Sequence, residues 1–412
     1  METSSEKMDE KMDKKKKANG NERAIRAALQ GVVSELGGVF VGRSEVARGI
    51  VVAMLAREHT FLLGPPGTAK SAMVRTLCDS IGARYWEYML TRFTDPNEIF
   101  GPIDLQTWST SGEYVRRTDG TMLSAEIAFA DEIFKANSSI LNSLLAVLNE
   151  RTFHEGGRLM RVPLRSCVAA SNELPEGGTA GELAALFDRF LLRFEVDKVR
   201  DRDGFCRVVN GPAISSIVAK VSLEDLDRAC DFAAQVPVPD SVAASMHSID
   251  ETLYRECGID ISLRRWKGLK KILKASAWLA GDSVVDELHF DVLVHGLWDE
   301  PNQRAKVQKV VSKTASPLLA EALSAHDAIM EAHDGLLTAG SAKDAGGVTV
   351  NQEMQTAAKQ IAAISARATG PTKDRIEVLC SNVLAAQKKL AHRLGVELGI
   401  YADDQAESTV EL

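Results

Sequence analysis

The chain has two different patterns of apolar and polar positions, and the pattern changes near residue 301. Before that point, short apolar runs without alternation occur at 61–63, 127–130 and 166–170, and segments with helical periodicity, such as 138–149, lie between them. Apolar runs of this kind are typical of strands buried on both faces of a parallel sheet. Their alternation with helices predicts a doubly wound α/β domain, whose ligand binds outside the carboxyl ends of the strands.

Further segments extend this prediction. Residues 84–90 are predicted as another strand, and 151–162 as a hairpin that turns at Glu155-Gly156-Gly157. Beyond the α/β domain, Ser222 and Asp240 are typical helix N-termini, and 266–273 carry one apolar helix face. These signals predict an all-α lid.

From Pro301 onward the sequence is rich in alanine, poor in aromatic residues and periodic over long stretches. Apolar stripes at helical spacing occur within 318–330, 354–364 and 376–390. Three helices packed as a bundle or a hairpin would bury these stripes. Residues 340–347, Gly-Ser-Ala-Lys-Asp-Ala-Gly-Gly, predict a flexible linker between the first and second helix.

The changes of pattern divide the chain into five predicted segments. The polar start, which contains the run 14–17 of four lysines, predicts a disordered arm. The segments are the arm at 1–23, the α/β core at 24–215, the lid at 216–300, a C-terminal helical domain at 301–401 and a mobile tail at 402–412.

Composition narrows the class of protein. A length of 412 residues with 45% apolar residues predicts two or three domains with sizeable cores. No apolar run has the length of a membrane span, and the six cysteines are scattered without metal or redox spacing, which predicts a reducing, cytoplasmic compartment. The net charge of −8 gives no support to a nucleic-acid partner.

A glycine-rich turn follows the first apolar run and precedes a helical segment, which is the context of a phosphate-binding loop. Its residues are Gly64, Pro65, Pro66, Gly67, Thr68, Ala69, Lys70 and Ser71. Backbone N–H groups and the helix N-terminus would face the phosphates of a nucleoside triphosphate, Lys70 would reach the outer phosphates, and Ser71 would bind Mg²⁺. Ala69 replaces the usual glycine and requires a negative φ. A simple glycine turn is the alternative.

Acidic residues end the apolar run at 127–130. Two carboxylates at the end of a buried strand are costly unless a cation and a water accompany them. Asp131 is therefore predicted as a magnesium ligand, direct or through water, and Glu132 as the base that polarises the attacking water. The alternative is a solvated strand end. Asn172 follows another buried strand, so parallel topology brings it to the same edge as the loop and the acidic pair.

Several motifs together carry a family resemblance. The segments Gly-Pro-Pro-Gly-Thr-Ala-Lys-Ser, Phe-Ala-Asp-Glu-Ile-Phe-Lys-Ala, Leu-Asn-Glu-Arg-Thr-Phe, Ala-Ala-Ser-Asn-Glu-Leu-Pro-Glu and Leu-Phe-Asp-Arg-Phe occur in this order. Over about 33–299 the chain closely resembles the MoxR family of AAA+ ATPases, most of all its RavA-like branch, which also carries alanine before the lysine. The resemblance implies an ATPase that uses ATP and Mg²⁺.

The resemblance also implies roles for single residues. Asn172 is similar to the sensor that orients the lytic water, and Arg189 to the arginine finger supplied to a neighbouring subunit. Arg264 is similar to the second sensor in the lid. Val41 and Gly42 lie in a segment that resembles the lining of the adenine site. Arg193 and Arg265 compete with Arg189 and Arg264 for their roles, and a surface salt bridge is the alternative for each arginine.

At the level of the whole protein, the resemblance implies a hexameric ring that acts as a chaperone-like motor on a partner protein, together with a von Willebrand factor A domain protein. Residues 93–120 and the hairpin resemble inserts that engage substrate, with Trp108 and Tyr114 as contacts; local packing is the alternative. The further β-rich domain of RavA-like proteins has no counterpart here beyond the short linker. Two other functions remain open, a nucleic-acid motor and a nucleotide-gated scaffold.

Overall fold

The computed structural model describes residues 4–155, 157–174, 182–210, 217–315, 317–337, 346–368 and 370–397. These residues form two compact units, one within Met1–Ala244 and Leu253–Val307 and the other within Ser245–Thr252 and Gln308–Leu412. The predicted tail at 402–412 and residues 340–345 of the predicted linker lie outside the described residues.

The first unit contains the seven described strands. They are β1 (His59–Leu63), β2 (Tyr85–Met89), β3 (Ile127–Asp131), β4 (Thr152–Glu155), β5 (Arg158–Arg161), β6 (Ser166–Ser171) and β7 (Phe190–Glu195). Five strands form one sheet in the order β2-β3-β6-β1-β7, and every neighbouring pair is parallel. Strands β4 and β5 form the antiparallel hairpin. The predicted parallel α/β core is confirmed.

The described helices alternate with the strands along the chain or follow the last of them. They are α1 (Ser4–Val39), α2 (Ser44–Leu55), α3 (Lys70–Ile81), α4 (Pro96–Phe100), α5 (Leu105–Ser111), α6 (Ser138–Glu150), α7 (Glu182–Phe187), α8 (Arg202–Asn210), α9 (Leu223–Gln235), α10 (Asp240–Thr252), α11 (Leu263–Ala280), α12 (Arg304–Ala315), α13 (Pro317–Leu337), α14 (Gly347–Ser365) and α15 (Gly370–Glu397). A π-helical turn covers Leu253–Cys257, and a long 3₁₀ segment covers Glu287–His295.

The sheet is central because its strands are apolar on both faces. All residues of β1 and β6 are buried, as are the first four of β3. One face packs against an apolar cluster to which α6 and α7 contribute, in which the ring of Phe61 contacts those of Phe187 and Phe190. Burial on both faces is what the uninterrupted apolar runs predict.

The N-terminal segment differs from its prediction. A disordered arm is expected at 1–23, whereas the structure has helix α1 from Ser4 onward. Between Ile25 and Leu36, α1 buries one apolar residue at each helical turn. The preceding segment is rich in Glu, Lys and Met, which are good helix formers, and extending an existing helix costs less than nucleating one.

The two inserts of the α/β core are joined to each other. The guanidinium of Arg116 is paired with both carboxylate oxygens of Glu155 in the hairpin, and its NH1 donates to Asn97 at 2.6 Å. Phe100 and Phe153 pack alongside, with tilted rings whose centroids are 4.9 Å apart. The segment around α4 and α5 and the hairpin therefore form one packed surface feature.

Lid helices α9 and α11 belong to the same compact unit as the sheet, whereas residues Ser245–Thr252 of α10 belong to the second unit. Helix α11 packs on α2, α9 and the 3₁₀ segment, and Trp278 is almost completely buried. Further ion pairs join lid and core, such as the pair between Arg165 and Asp227, at 2.6 Å. The predicted all-α lid is present.

The second unit is helical. Helices α13, α14 and α15 each pack against the other two, and residues such as Ile329, Ile361 and Val383 form their common core. This arrangement is the bundle that the stripes predict, although Leu384 is 42% exposed and lies outside the core. Within the described ranges, no helix is both long and apolar enough to cross a membrane.

Candidate functional site

The glycine-rich loop connects the carboxyl end of β1 to the first turn of α3, which begins at Lys70. A Cβ atom at Gly64 would lie 2.2 Å from the carbonyl oxygen of Val196, so only glycine fits where the chain leaves the sheet. Ala69 has φ +62°, in the left-handed region. The requirement of a negative φ at Ala69 is therefore wrong, because this loop takes the left-handed turn on a residue with a side chain at a conformational cost.

Lys70 lies folded into the loop. Its ammonium group donates to the carbonyl oxygens of Gly64 at 2.5 Å and Pro65 at 3.0 Å. Burial lowers the pKa of Lys70, while the negative charges of Asp131 and Glu132 oppose that shift. The structure thus brings the lysine and both predicted carboxylates together at the same edge of the sheet.

Glu132 is held in place by its neighbours. The side-chain amide of Asn172 donates to its Oε1, the Ser171 hydroxyl lies 3.4 Å from its Oε2, and the Lys135 ammonium lies 3.3 Å from Oε2. Glu132 is only 5% exposed, and its backbone is left-handed with φ +53°. The predicted base and the predicted sensor are therefore in direct contact.

The donor atoms at this edge suit a hard divalent cation. Burial raises the pKa of Asp131, which the backbone N–H of Glu132 and the charge of Lys70 counteract. Ser71 follows Lys70 in α3 and supplies a hydroxyl oxygen. Among the described residues, no group of three or more His, Cys, Asp or Glu side chains could hold a metal ion. A hydroxyl and one carboxylate nevertheless fit Mg²⁺, since this ion keeps waters and takes its remaining ligands from substrate phosphates.

A cleft of about 830 Å³ opens beside the loop. It is lined by 38–41, 43, 67–69, 198–199 and 205–210. Val41 is thus in the lining, and Gly42 lies between two lining residues with φ +70°. Helix α8 supplies residues 205–210 of the lining, and the sequence did not predict it as part of the site. Its apolar side chains Phe205, Val208 and Val209 are exposed, and an amphipathic pattern at 202–210 was the signal available.

Arg189 and Arg264 lie at the opposite edge of the sheet. Arg189 precedes Phe190, which pairs with His59 at the start of β1, whereas the glycine-rich loop follows the end of β1. Five strand residues at about 3.3 Å each separate the two edges by on the order of 16 Å. Arg264 donates to the side-chain carbonyl of Asn149 near this same edge. The structure does not bring either arginine to the loop of its own chain.

These two arginines lie close to each other. Burial lowers the pKa of Arg189, and the like charge of Arg264 lowers it further. The Nε of Arg189 is buried without a hydrogen-bond partner among the described residues. Two neighbouring guanidinium groups with spare donors suit an anion such as a polyphosphate.

The competing arginines are used inside the molecule. Arg193 is 0% exposed, and its guanidinium lies 3.9 Å from the ring centroid of Phe187 and pairs with Asp299. Arg265 is 6% exposed and pairs with Asp188 and Asp299, each at 2.8 Å. Neither has the exposure that contact with another subunit requires.

Comparison with known proteins gives matches over most of the chain. Residues 27–212 match a family model described as the MoxR domain in MoxR-vWA-beta-propeller ternary systems. Residues 241–311 match an AAA lid domain model.

Individual relatives agree with these matches. An uncharacterised protein of Methanocaldococcus jannaschii is 38% identical over 288 residues, which cover 70% of this chain and 76% of the relative. The chaperone MoxR1 of Mycobacterium tuberculosis is 28% identical over 169 residues, or 41% of this chain and 44% of the relative. A crystal structure from Cytophaga hutchinsonii, of a protein provisionally described as an ATPase, aligns with TM-score 0.59 at 20% identity over 73% of this chain and 97% of that one. This last likeness concerns the fold.

Proposed function

The chain belongs to the MoxR family of AAA+ ATPases, and we propose that it hydrolyses ATP to remodel or mature a partner protein. The observation that carries this proposal is the convergence of Lys70, Asp131, Glu132 and Asn172 at one edge of the sheet. A lysine, a magnesium ligand and a held carboxylate are the parts that phosphoryl transfer to water needs.

In the proposed reaction, the chain positions groups around the terminal phosphoryl of ATP. The backbone N–H groups of 64–71 and the ammonium of Lys70 bind the phosphates. Ser71 and Asp131 would hold Mg²⁺, which would supply positive charge to the phosphate oxygens. Glu132 accepts the proton of the attacking water, and Asn172 fixes the orientation of that carboxylate and of the water.

We place Arg189 and Arg264 at the ATP of a neighbouring subunit. Both lie at the sheet edge away from their own loop, so they serve this reaction only across an interface between copies. A head-to-tail interface satisfies every subunit when it closes into a ring, and we take that ring to be a hexamer from the family resemblance. An arginine finger of this kind increases the turnover number roughly 10³–10⁵-fold.

The partner is proposed from the family match. Its description names a von Willebrand factor A protein and a β-propeller protein in the same system, and we propose that the chain acts with a von Willebrand factor A domain protein. Trp108 and Tyr114 are exposed on the insert and are the side chains that we expect to touch a client. We keep the RavA-like branch in this proposal because Ala69 precedes the lysine. The cysteines are unpaired, which fits a cytoplasmic location.

ATP turnover measured under three conditions tests this function. We expect phosphate release by the chain alone, faster release with a purified von Willebrand factor A domain protein, and no response to DNA. Lys70→Ala serves as the inactive control, and Lys388→Ala, a change of an exposed lysine in the second unit, as the active one. Stimulation by DNA alone would favour a nucleic-acid motor. Tight ATP binding without turnover under any condition would favour a nucleotide-gated scaffold.

A further inference from the structure

Two pairs of consecutive residues face each other between the core and the lid. Asp188 and Arg189 form the turn before β7, and Arg264 and Arg265 lie in the first turn of α11. The Nε of Arg265 donates to Asp188 at 2.9 Å, and its NH2 lies 2.8 Å from the same carboxylate oxygen. One member of each pair is therefore bonded to a member of the other.

A second carboxylate extends this connection. Asp299 accepts from the NH2 of Arg265 at 2.8 Å and from the NH1 of Arg193 at 2.7 Å. We call Asp188, Arg193, Arg265 and Asp299 the clamp. Both of its arginines are buried, so each of their charges is compensated inside the protein.

The clamp also fixes the backbone around Arg189. The NH2 of Arg193 donates to the carbonyl oxygen of Phe187 at 3.2 Å, and its Nε to that of Phe190 at 3.1 Å. These two carbonyls flank Asp188 and Arg189 in the chain. A rigid guanidinium thus holds the peptide on both sides of the turn that carries Arg189.

Arg189 and Arg264 make fewer contacts than the two arginines of the clamp. The guanidinium of Arg264 is exposed and donates to a neutral amide, and the Nε of Arg189 has no partner in the described part of the chain. Two like charges would move apart if nothing held them. The charges of Asp188 and Glu58 offset only part of the shift in the pKa of Arg189, because Asp188 is paired with Arg265 and Glu58 with Lys271.

We infer that the clamp positions Arg189 and Arg264 side by side as one binding unit for the polyphosphate of a nucleotide held by a second copy of this chain. Asp188 and Arg265 are then positioning residues, since they act through Arg189 and Arg264 and do not touch the nucleotide. This inference rests on the proposed function, because it presupposes that Arg189 acts across an interface.

A mixing assay separates positioning from folding. Arg189→Ala subunits keep Glu132 but lack the arginine, and Glu132→Gln subunits supply the arginine but cannot hydrolyse. Mixed rings should regain turnover at the Arg189→Ala sites. When the donor also carries Asp188→Asn, we expect the restored kcat to fall at least 10-fold with little change in KM and in the donor's own ATP affinity. Restoration of most of that loss by Asp188→Glu is expected.

A matched control is available in Asp227→Asn. Asp227 also joins lid to core through an ion pair, with Arg165, but it lies outside the clamp. This donor should restore turnover as well as Glu132→Gln alone. Arg265→Lys, which keeps the charge and loses the fork, provides a second test if Asp188→Asn does not fold, with a smaller expected loss of kcat.

Two results would overturn the inference while leaving the trans arrangement intact. One is equal restoration by donors with and without Asp188→Asn, and the other is an equal loss with Asp188→Asn and Asp227→Asn. Absence of any restoration by the Glu132→Gln donor itself would contradict the trans arrangement, and the inference would fall with it.

Discussion

The side-chain amide of Asn172 donates a hydrogen bond to the carboxylate of Glu132. The two residues follow the carboxyl ends of β6 and β3, which are neighbours in the sheet. An amide hydrogen bond to an ionised carboxylate fixes the direction of its lone pairs, so Glu132 presents a defined oxygen to a water. The contact is between two residues that lie 40 positions apart in the chain.

Glu132→Gln should separate binding from hydrolysis. We expect turnover to fall on the order of 10²–10⁴-fold, because glutamine cannot accept the proton of the attacking water. ATP affinity should stay within a few fold, since Lys70 and the loop remain. Phosphate release and equilibrium binding of a fluorescent ATP analogue measure the two effects.

The neighbouring carboxylate provides the control for this change. Glu173 is exposed and follows Asn172, so Glu173→Gln should leave both turnover and binding unchanged. Hydrolysis by Glu132→Gln at a rate close to that of the unmodified chain would show that another group acts as the base.

The sequence predicts the parts of the site whose signals are local. Gly64 and Asn172 directly follow an apolar strand, Asp131 ends one, and Lys70 closes the loop that Gly64 begins. Parallel topology alone brings such positions to one edge. The contribution of α8 to the cleft could not be predicted in this way. Phe205 lies on a helix whose apolar face is recognisable as functional only when its packing partner is known.

Conformation and burial mark a second limit of sequence reasoning. Arg189 and Arg193 are close in the sequence, yet only the structure shows that Arg193 is enclosed between Phe187 and Asp299. Likewise, the sequence of the loop does not indicate the φ that Ala69 adopts. Both properties are set by tertiary contacts rather than by residue type.

The left-handed backbone of Ala69 leads to a prediction about side-chain shape. Ala69→Val should destabilise the fold by about 1–2 kcal/mol and weaken ATP binding, because a β-branched residue is strained at positive φ. Ala69→Gly should retain both stability and binding, since glycine adopts this conformation freely. Urea unfolding and ATP titration compare the three chains. A valine variant as stable as the glycine variant would mean that the loop adopts a different φ.

The apolar wall of α8 predicts a contact with the base of the nucleotide. Phe205→Ala should raise the dissociation constant for ATP about 10-fold, since stacking a base on an aromatic ring is worth about 1–3 kcal/mol. Inorganic tripolyphosphate has no base, so its affinity should not change. Calorimetric titration of both ligands measures this difference.

The control for α8 is the same substitution elsewhere. Phe93 is 87% exposed and does not line the cleft, so Phe93→Ala should bind both ligands as the unmodified chain does. If Phe205→Ala weakened tripolyphosphate as much as ATP, the helix would support the phosphate loop instead of the base.

His59 makes the stability of the core depend on pH. Its ring is buried, its Nδ1 accepts from the backbone N–H of Cys167 at 2.9 Å, and its Nε2 lies 2.9 Å from the carbonyl oxygen of Leu148. Burial, together with the charge of Arg151, lowers the pKa of His59 from 6.5 to about 3. Between these two values the unfolded chain binds a proton that the folded chain does not. The free energy of unfolding should therefore decrease as the pH falls from 6.5 to about 3, by about 1.4 kcal/mol for each pH unit in the middle of this range.

His59→Gln isolates this contribution from that of the carboxylates. Glutamine does not titrate, so its variant should lack the part of the pH dependence that His59 provides, even if it is less stable at neutral pH. We expect the difference in unfolding free energy between the two chains to shrink by about 1 kcal/mol when urea unfolding at pH 5.5 is compared with pH 6.5, because the histidine of the unfolded chain is already half protonated at pH 6.5. Parallel pH dependences in the two chains would show that His59 is protonated in the folded state as readily as in the unfolded one, and that the edge of the sheet is open to water at this residue.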